Sequence, residues 1–526
     1  MWRLKKAIPA ADTAWRAVHM IPGCEHERGP VDDGERAAAE VDREEVSAEA
    51  KTGNLAPRLL GLPEGAAAER AIPTFVGGKE DVMRVQFSKR RISRREFLGK
   101  AAAGTAAAGG LAWLGPTGGR AAGKPVTLKL ALYAEPSRTP IQQAMIAAFK
   151  SKYPDIHLSV EAADFNTYYT KMNTNIAAGT VPDVFMMSGA YFYNAAMKGV
   201  LKNLEPFIKS SRLNLGQDYF TESANQTYHG TTYGIPGEID IMALAYNKDL
   251  FDAAGARYPT ADWTWHDILA AATKVTRKDK NGRQTYGIYA VNNSQEMWGD
   301  LVKENGGSFL TPDLKRGALD SPEAVEAIQF AVDLIYKYKV SPTPQGVSSL
   351  PGYIESGGSP FLTGLVAMKF QGNYEMTLLS NIKKFRWDVV TMPRQKKKTG
   401  LGWTQSWVMS ARTQAPDEAW TLLHFLITEG QQITARSAGR GLTPSLLAAA
   451  YSPAFERTAP PHVKAWLDGW KIHSSFDFHP AWFEYQTAYS KALDPVFNGS
   501  MSVKDAVTSS TQQVNDILAR YSSFTP

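Results

Sequence analysis

One stretch constrains this chain more than any other: Tyr233-Gly234-Ile235-Pro236-Gly237-Glu238-Ile239-Asp240-Ile241-Met242-Ala243-Leu244-Ala245-Tyr246-Asn247-Lys248-Asp249-Leu250-Phe251. Its apolar run, 239–246, has strand length, yet a Pro-Gly pair interrupts it upstream and two carboxylates, Glu238 and Asp240, stand at the break. A strand buried in one sheet excludes such groups unless they are paired or reach water, because desolvating an unpaired charge is expensive. Two readings follow. Either both carboxylates are surface turn residues, or the strand leaves one domain, crosses a solvent-filled cleft and enters a second, with the carboxylates lining the cleft. Alternation places the two on one face.

At 526 residues the chain supports two domains as a minimum. Its 44% hydrophobic and 21% charged composition is globular, and 13 Trp with 21 Tyr offer many rings for stacking. The net charge of +6 is not a nucleic-acid signal: residues 1–121 hold 19 of the Lys/Arg and 16 of the Asp/Glu, which leaves 39 against 36 beyond them.

Residues 1–82 are rich in Ala, Glu, Arg and Gly with little periodicity, and read as a disordered or mis-assigned upstream extension. After Met83 come Lys89, Arg90 and Arg91, then Ser93-Arg94-Arg95-Glu96-Phe97-Leu98 and a weakly apolar run, 101–114. This resembles a twin-arginine export signal over 83–121, with cleavage after Gly119-Arg120-Ala121 and a mature start near Ala122. The run is too short and too interrupted by Gly to span a membrane. The one cysteine, Cys24, precedes it, so the reading is a periplasmic or extracellular protein that is not lipid-anchored through cysteine, with no disulfide or thiolate metal ligand.

From Val126 onward, strands and helices alternate: an alternating strand to Tyr133, a helix through Ile141, Met145 and Phe149, a strand at 156–160, a helix at 168–178 and a buried strand within 179–189 that ends in small residues. Such alternation implies parallel strands with ligand contacts at their carboxyl ends, here Tyr133/Glu135, Asp164/Phe165 and Ser188/Tyr191. Further on, Thr264 is placed to cap a helix reaching Val275, with Trp263 and Trp265 as core. Tyr286-Gly287-Ile288-Tyr289 reads as a strand whose outlet presents Trp298. Ser321 caps a helix to Tyr338, and a last helix runs to Leu518.

The motifs resemble those of extracellular solute-binding protein family 1, the maltose-type sugar-binding components of ATP-binding-cassette importers. The resemblance covers about 126–526. It rests on Tyr233-Gly234-Ile235-Pro236 followed by Tyr246-Asn247-Lys248-Asp249-Leu250-Phe251, on Lys152-Tyr153-Pro154, Ala178-Gly179 and Pro182-Asp183-Val184-Phe185, and on Gly199-x-Leu201-x-x-Leu204. It implies an α/β, two-lobe periplasmic-binding-protein-like fold of type II, each lobe a sheet flanked by helices. Lobe one would hold 126–238 and 404–440, and lobe two 245–400 and 445–526. In the family, 233–251 is the first inter-lobe crossover and 402–410 resembles the second. A stacking aromatic sits near Gln371-Gly372-Asn373-Tyr374, where Tyr374 replaces the commoner Trp.

Sugars present apolar faces and polar rims, so a cleft needs flat rings and carboxylates, amides or hydroxyls. The aromatic candidates are Tyr191, Trp298, Tyr374, Trp403 and Trp407. The polar ones are Glu135, Ser188, Glu238, Asp240, Asn373 and Gln405. Amide replacement of Glu238 or Asp240 is expected to weaken binding with folding nearly intact. No elbow, P-loop, His-Glu-x-x-His or dinucleotide motif appears, so the chain reads as a non-enzyme without cofactor or metal. The alternatives are a secreted glycosidase using two of Glu135, Glu238 and Asp240, and a ligand-sensing module for a membrane receptor. The expected partners are a small sugar and the importer's membrane subunits, with no nucleic acid, and the protein a monomer. No Arg cluster marks phosphate, with Arg440 as the single contact considered.

Overall fold

The computed structural model describes residues 125–526 apart from 135–137, 222–225, 354–358, 438–441, 459–461 and 526, together with the backbone of 72–74 and 86–88. The chain divides into a small unit, 21–121, and a large one that contains 122–526. In the small unit an antiparallel ladder joins Ile72–Thr74 to Gln86–Ser88. The rest of the expected extension and export signal lies outside the described residues, as do Glu135 and Arg440.

The large unit opens with β1 (Val126–Tyr133), α1 (Thr139–Lys152), β2 (Ile156–Ala163), α2 (Phe165–Ala178), β3 (Val184–Ser188) and α3 (Gly189–Met197). As the alternation requires, β1 lies between β2 and β3 and is parallel to both. Helix α2 begins three residues before the expected start because Asp164 caps it, accepting from the backbone of Asn166 and Thr167 at 3.1 Å. It ends at Gly179, whose φ of +66° is open to glycine at little cost.

The long strand β4 (Gly234–Asn247) is buried along its whole length. Then follow α4 (Trp265–Val275), α5 (Trp298–Glu304), α6 (Pro322–Tyr336), β5 (Met368–Gly372), β6 (Trp387–Thr391) and β7 (Gly402–Met409). Helix α4 starts on a reciprocal capping box between Thr264 and Asp267. Trp263 and Trp265 are buried, and Trp265 stacks on Phe330. The strand expected over 286–289 is reduced to Gln284–Thr285 and a bridge from Tyr286 to Val366. Gly287 presses so closely on α4 that a Cβ there would lie 2.2 Å from the Ala272 Cα, so this segment packs on a helix instead of extending a ladder. The chain closes with α7 (Pro416–Ile427), α8 (Glu429–Arg436), β8 (Thr443–Pro444), α9 (Trp482–Phe497) and α10 (Val503–Ala519).

One sheet runs in the order β5-β4-β7-β3-β1-β2, with β6 and β8 also on β4. Strand β4 belongs to both of its parts. Residues 234–241 pair with β7, and Glu238 and Ile239 with β8, whereas 242–247 pair with β5 and β6, all antiparallel. Alternation sends Ile239, Ile241, Ala243 and Ala245 into one core with Phe361 and Trp466, and Met242, Leu244 and Tyr246 into the other. The crossing strand is thus apolar on one face throughout, and Glu238 and Asp240 fall on the opposite face where the sheet changes partners.

Candidate ligand-binding site

Register assembles the polar residues. Ser188 of β3 lies opposite Gln405 of β7, which lies opposite Glu238 of β4, and Trp403 lies opposite Asp240. A bulge at Gly237 shifts the register between Gln405 and Ser406, and it places Trp407 against Gly237, where a Cβ would meet the indole Nε1 at 2.6 Å. Gln405 Nε2 donates to Asp240 Oδ2 at 2.9 Å, while its Oε1 is buried with no hydrogen-bond partner. Glu238 forms an ion pair with Arg138, both nearly fully buried, and the guanidinium sits 4.8 Å from the centre of the Tyr133 ring. A small cavity of about 10 Å³ remains beside Glu238 and Trp407, lined also by Gln142 and Gln431.

Aromatic rings surround this polar line. Tyr169 and Tyr191 stack with centroids 3.8 Å apart, and the Ser188 backbone N–H donates to the Tyr169 hydroxyl at 2.7 Å. Trp403 packs between Tyr374, at 6.0 Å, and Phe476, at 5.5 Å. Gly372 makes room for Tyr374, since a Cβ there would lie 2.0 Å from its ring. Burial pushes the phenols of Tyr133, Tyr169, Tyr191 and Tyr374 well above their usual pKa, so all four stay neutral hydroxyls.

The structure therefore brings together Ser188, Tyr191, Glu238, Asp240, Tyr374, Trp403, Gln405 and Trp407. Two candidates are reassigned. Trp298 is fully buried at the start of α5, its Nε1 spent on Asn292 and its ring against Phe309, which makes it core. Asn373 is also fully buried, and its amide is consumed by the backbone of β4 and by Thr443. Glu238 stays in the site but in another role: with Arg138 as its counter-ion, its amide variant is no longer expected to fold normally. Residues missed from the sequence are Arg138, Tyr169 and the aromatic segment 476–483. The density of rings in Phe476-Asp477-Phe478-His479-Pro480-Ala481-Trp482-Phe483 was a usable signal, whereas nothing local marks Arg138.

His479 lies in that segment, its Nδ1 accepting from the Ala481 N–H at 3.0 Å and its ring 4.9 Å from Phe524. Burial lowers its pKa to about 4. Because the folded value lies below the unfolded one of about 6.5, its contribution is complete above pH 6.5 and is lost as pH falls toward 4, by about 3 kcal/mol. In His479→Asn, which keeps an acceptor and cannot ionise, the stability gap to wild type should shift by about that amount in the variant's favour between pH 7 and 4. Urea melts at each pH measure it, and a constant gap rejects the assignment.

Among the described residues no helix is long and apolar enough to cross a membrane, and no group of three or more His, Cys, Asp or Glu is placed to hold a metal. Residues 135–433 match the family model of the bacterial extracellular solute-binding proteins. A putative binding protein of Brucella abortus is 26% identical over 295 residues, covering 53% of this chain and 66%, just under two thirds, of that one. The mannitol-binding protein of Pseudomonas aeruginosa is 24% identical over 340 residues, 60% of this chain and 73% of its own length. Among solved structures, an ABC substrate-binding protein from Listeria monocytogenes in complex with cycloalternan superposes with a TM-score of 0.66 at 25% identity, covering 75% of this chain and 99% of that one. Its fold and that of the other structural neighbours is the two-lobe α/β fold of periplasmic solute-binding proteins. With more than half of its length under the family model, the chain belongs to the bacterial extracellular solute-binding proteins.

Proposed function

We propose that this protein captures a sugar or polyol between its two lobes outside the cytoplasm and delivers it to the membrane subunits of an ABC importer, working as a monomer. The observation that carries this reading is the register of Ser188, Gln405 and Glu238, with Asp240 beside them, at the point where β4 passes from one part of the sheet to the other. There hydroxyl, amide and carboxylate stand in one row, flanked by Tyr374, Trp403 and Trp407, which suits a ligand with polar rims and apolar faces. The mannitol-binding relative and the cycloalternan complex point to the same ligand chemistry. Lobe one is proposed to comprise 126–238 and 404–440, and lobe two 245–400 and 445–526. A ligand touching both would stabilise closure, which the importer reads.

Export is proposed to use Arg94 and Arg95, with the mature chain beginning near Ala122. The protein binds without turning over its ligand. Glu238 and Asp240 share one face of one strand and Glu238 is paired with Arg138, which does not suit the two as a glycosidase pair flanking a scissile bond, while pairs that include Glu135 lie outside the described residues.

Asp240 is the residue to test, because Asn retains an oxygen for the Gln405 amide. A thermal-shift panel of mannitol and malto-oligosaccharides finds a ligand, and calorimetry of Asp240→Asn measures the contact. A lost hydrogen bond to a charged group corresponds to about a 10- to 150-fold weaker Kd. Unchanged affinity removes Asp240 from the site, and new reducing ends released from the oligosaccharides overturn the binder reading.

A further inference from the structure

Charge is spread unevenly over this molecule. Three stretches distant in sequence, 248–258, 274–283 and 383–386, hold ten of the 39 Lys and Arg beyond residue 121 and only three of the 36 Asp and Glu, which leaves 29 cations against 33 anions for the rest. The fold gathers all three on the short helix Lys248–Ala254 and the turn after it. Arg277, on the antiparallel hairpin of Arg277–Lys278 with Gln284–Thr285, donates to the Ala253 carbonyl, and Lys274, in the last turn of α4, donates to the Gly255 carbonyl. From the third stretch, which leads into β6, Arg386 donates to Asp249 at 2.7 Å and to Asp252 at 2.6 Å, and its carbonyl accepts from the Lys248 N–H at 2.8 Å. The three acids of this face are thus taken up within it, two by Arg386 and Asp279 by Arg283 at 2.7 Å. Of the eight other cations six are Lys, and Lys278, Lys280, Lys383 and Lys384 are all exposed.

We propose that this basic face is a docking surface for an anionic phospholipid bilayer and holds the protein against the membrane in which its importer sits. The proposal rests on the location outside the cytoplasm proposed above, and it needs no residue of the sugar site. Segregation of charge is the first argument. An excess of seven cations on one face of a protein that is otherwise net negative turns that face toward an anionic surface and the remainder away from it. The choice of side chain is the second. A Lys ammonium is a point charge on a flexible stem, which suits a fluid layer of lipid phosphates, whereas one fixed phosphate or a folded acidic partner is matched better by the planar fork of Arg. Here Arg386 and Arg283 bind the carboxylates of the face itself, and Lys supplies most of the charge that points to solvent.

The test is co-sedimentation of the exported protein, purified from outside the cell, with vesicles of phosphatidylglycerol and phosphatidylcholine at low salt. Wild type is expected to bind these and not vesicles of phosphatidylcholine alone, and to release them at about 1 M salt, where the screening length is about 3 Å. A Lys near an anionic surface contributes about fivefold in affinity, so Lys278→Glu/Lys280→Glu/Lys383→Glu/Lys384→Glu should weaken vesicle binding about 100-fold or more. Lys383→Glu/Lys384→Glu is the milder variant, with an expected loss of about 25-fold. Its control is Lys150→Glu/Lys209→Glu, which changes net charge equally at exposed positions of α1 and of the helix Glu205–Ser210, and should bind vesicles nearly as wild type does. An equal loss in the control overturns the face, because attraction would then follow net charge alone. So does binding to both lipid mixtures alike, to neither, or to an oligonucleotide duplex in preference to vesicles. No sugar enters this measurement, and all these variants should keep the sugar affinity of wild type, so failure here is separate from failure of the sugar reading.

Discussion

Asn373→Ala should lose about 3–6 kcal/mol of stability, a large part of what a folded protein has. The Asn373 Oδ1 accepts from the Ile241 N–H at 2.8 Å, and its Nδ2 donates to the Ile239 carbonyl at 2.8 Å and to Thr443 Oγ1 at 2.6 Å. These backbone groups lie on β4 between the end of the β5 pairing at Met242 and the start of the β8 pairing at Ile239. Among the described residues no strand pairs with the edge of β4 away from β7 across that gap, and the side-chain amide stands in for one. Truncation leaves a buried N–H and a buried C=O unmade, each costing about 1–3 kcal/mol, and unties Thr443. Asn373→Asp should be as damaging, because a carboxylate accepts from Ile241 but meets the Ile239 carbonyl oxygen with no proton between them. Urea denaturation with an unchanged m-value measures the loss, and a change below about 1 kcal/mol rejects the brace.

Glu238→Gln should cost about 3–5 kcal/mol, since it removes the charge opposed to an Arg138 that is only 3% exposed. The same desolvation that makes breaking the pair costly makes the intact pair a weak source of net stability. Replacing both members, as in Arg138→Met/Glu238→Leu, should therefore recover most of the loss. A double-mutant cycle reads the coupling, and single variants that simply add would dismiss the ion pair as a structural unit. Binding by the double variant should still fall, because the row formed with Ser188 and Gln405 loses its carboxylate.

Much of this protein was legible in local pattern. The Pro-Gly break with two carboxylates does mark where β4 changes partners in the sheet, but both carboxylates are buried, Glu238 paired with Arg138 and Asp240 accepting from Gln405, and not exposed to open solvent. Period and caps placed the helices at Thr264 and Ser321, because a cap is a contact across two or three residues. The β-α-β alternation located the carboxyl ends that carry Ser188 and Tyr191.

Tertiary structure decided which partner each polar group takes. Asn373 and Gln405 are both amides near the crossover. One is spent on the backbone of a strand 132 residues away and on the Thr443 hydroxyl, and the other faces Asp240 with an oxygen to spare. Trp298 and Trp403 are equally apolar in composition, and only packing puts the first against Phe309 and the second beside Tyr374. Arg138 finds Glu238 across 100 residues, and Phe483 finds Tyr191 from the far end of the chain. Sequence alone determined the alternating faces, the caps and the crossing strand, because these follow from backbone geometry within a few residues. Register between distant strands determined which candidate residues meet, because hydrogen bonds and ring contacts act over a few ångströms and so depend on which distant segments the fold makes neighbours.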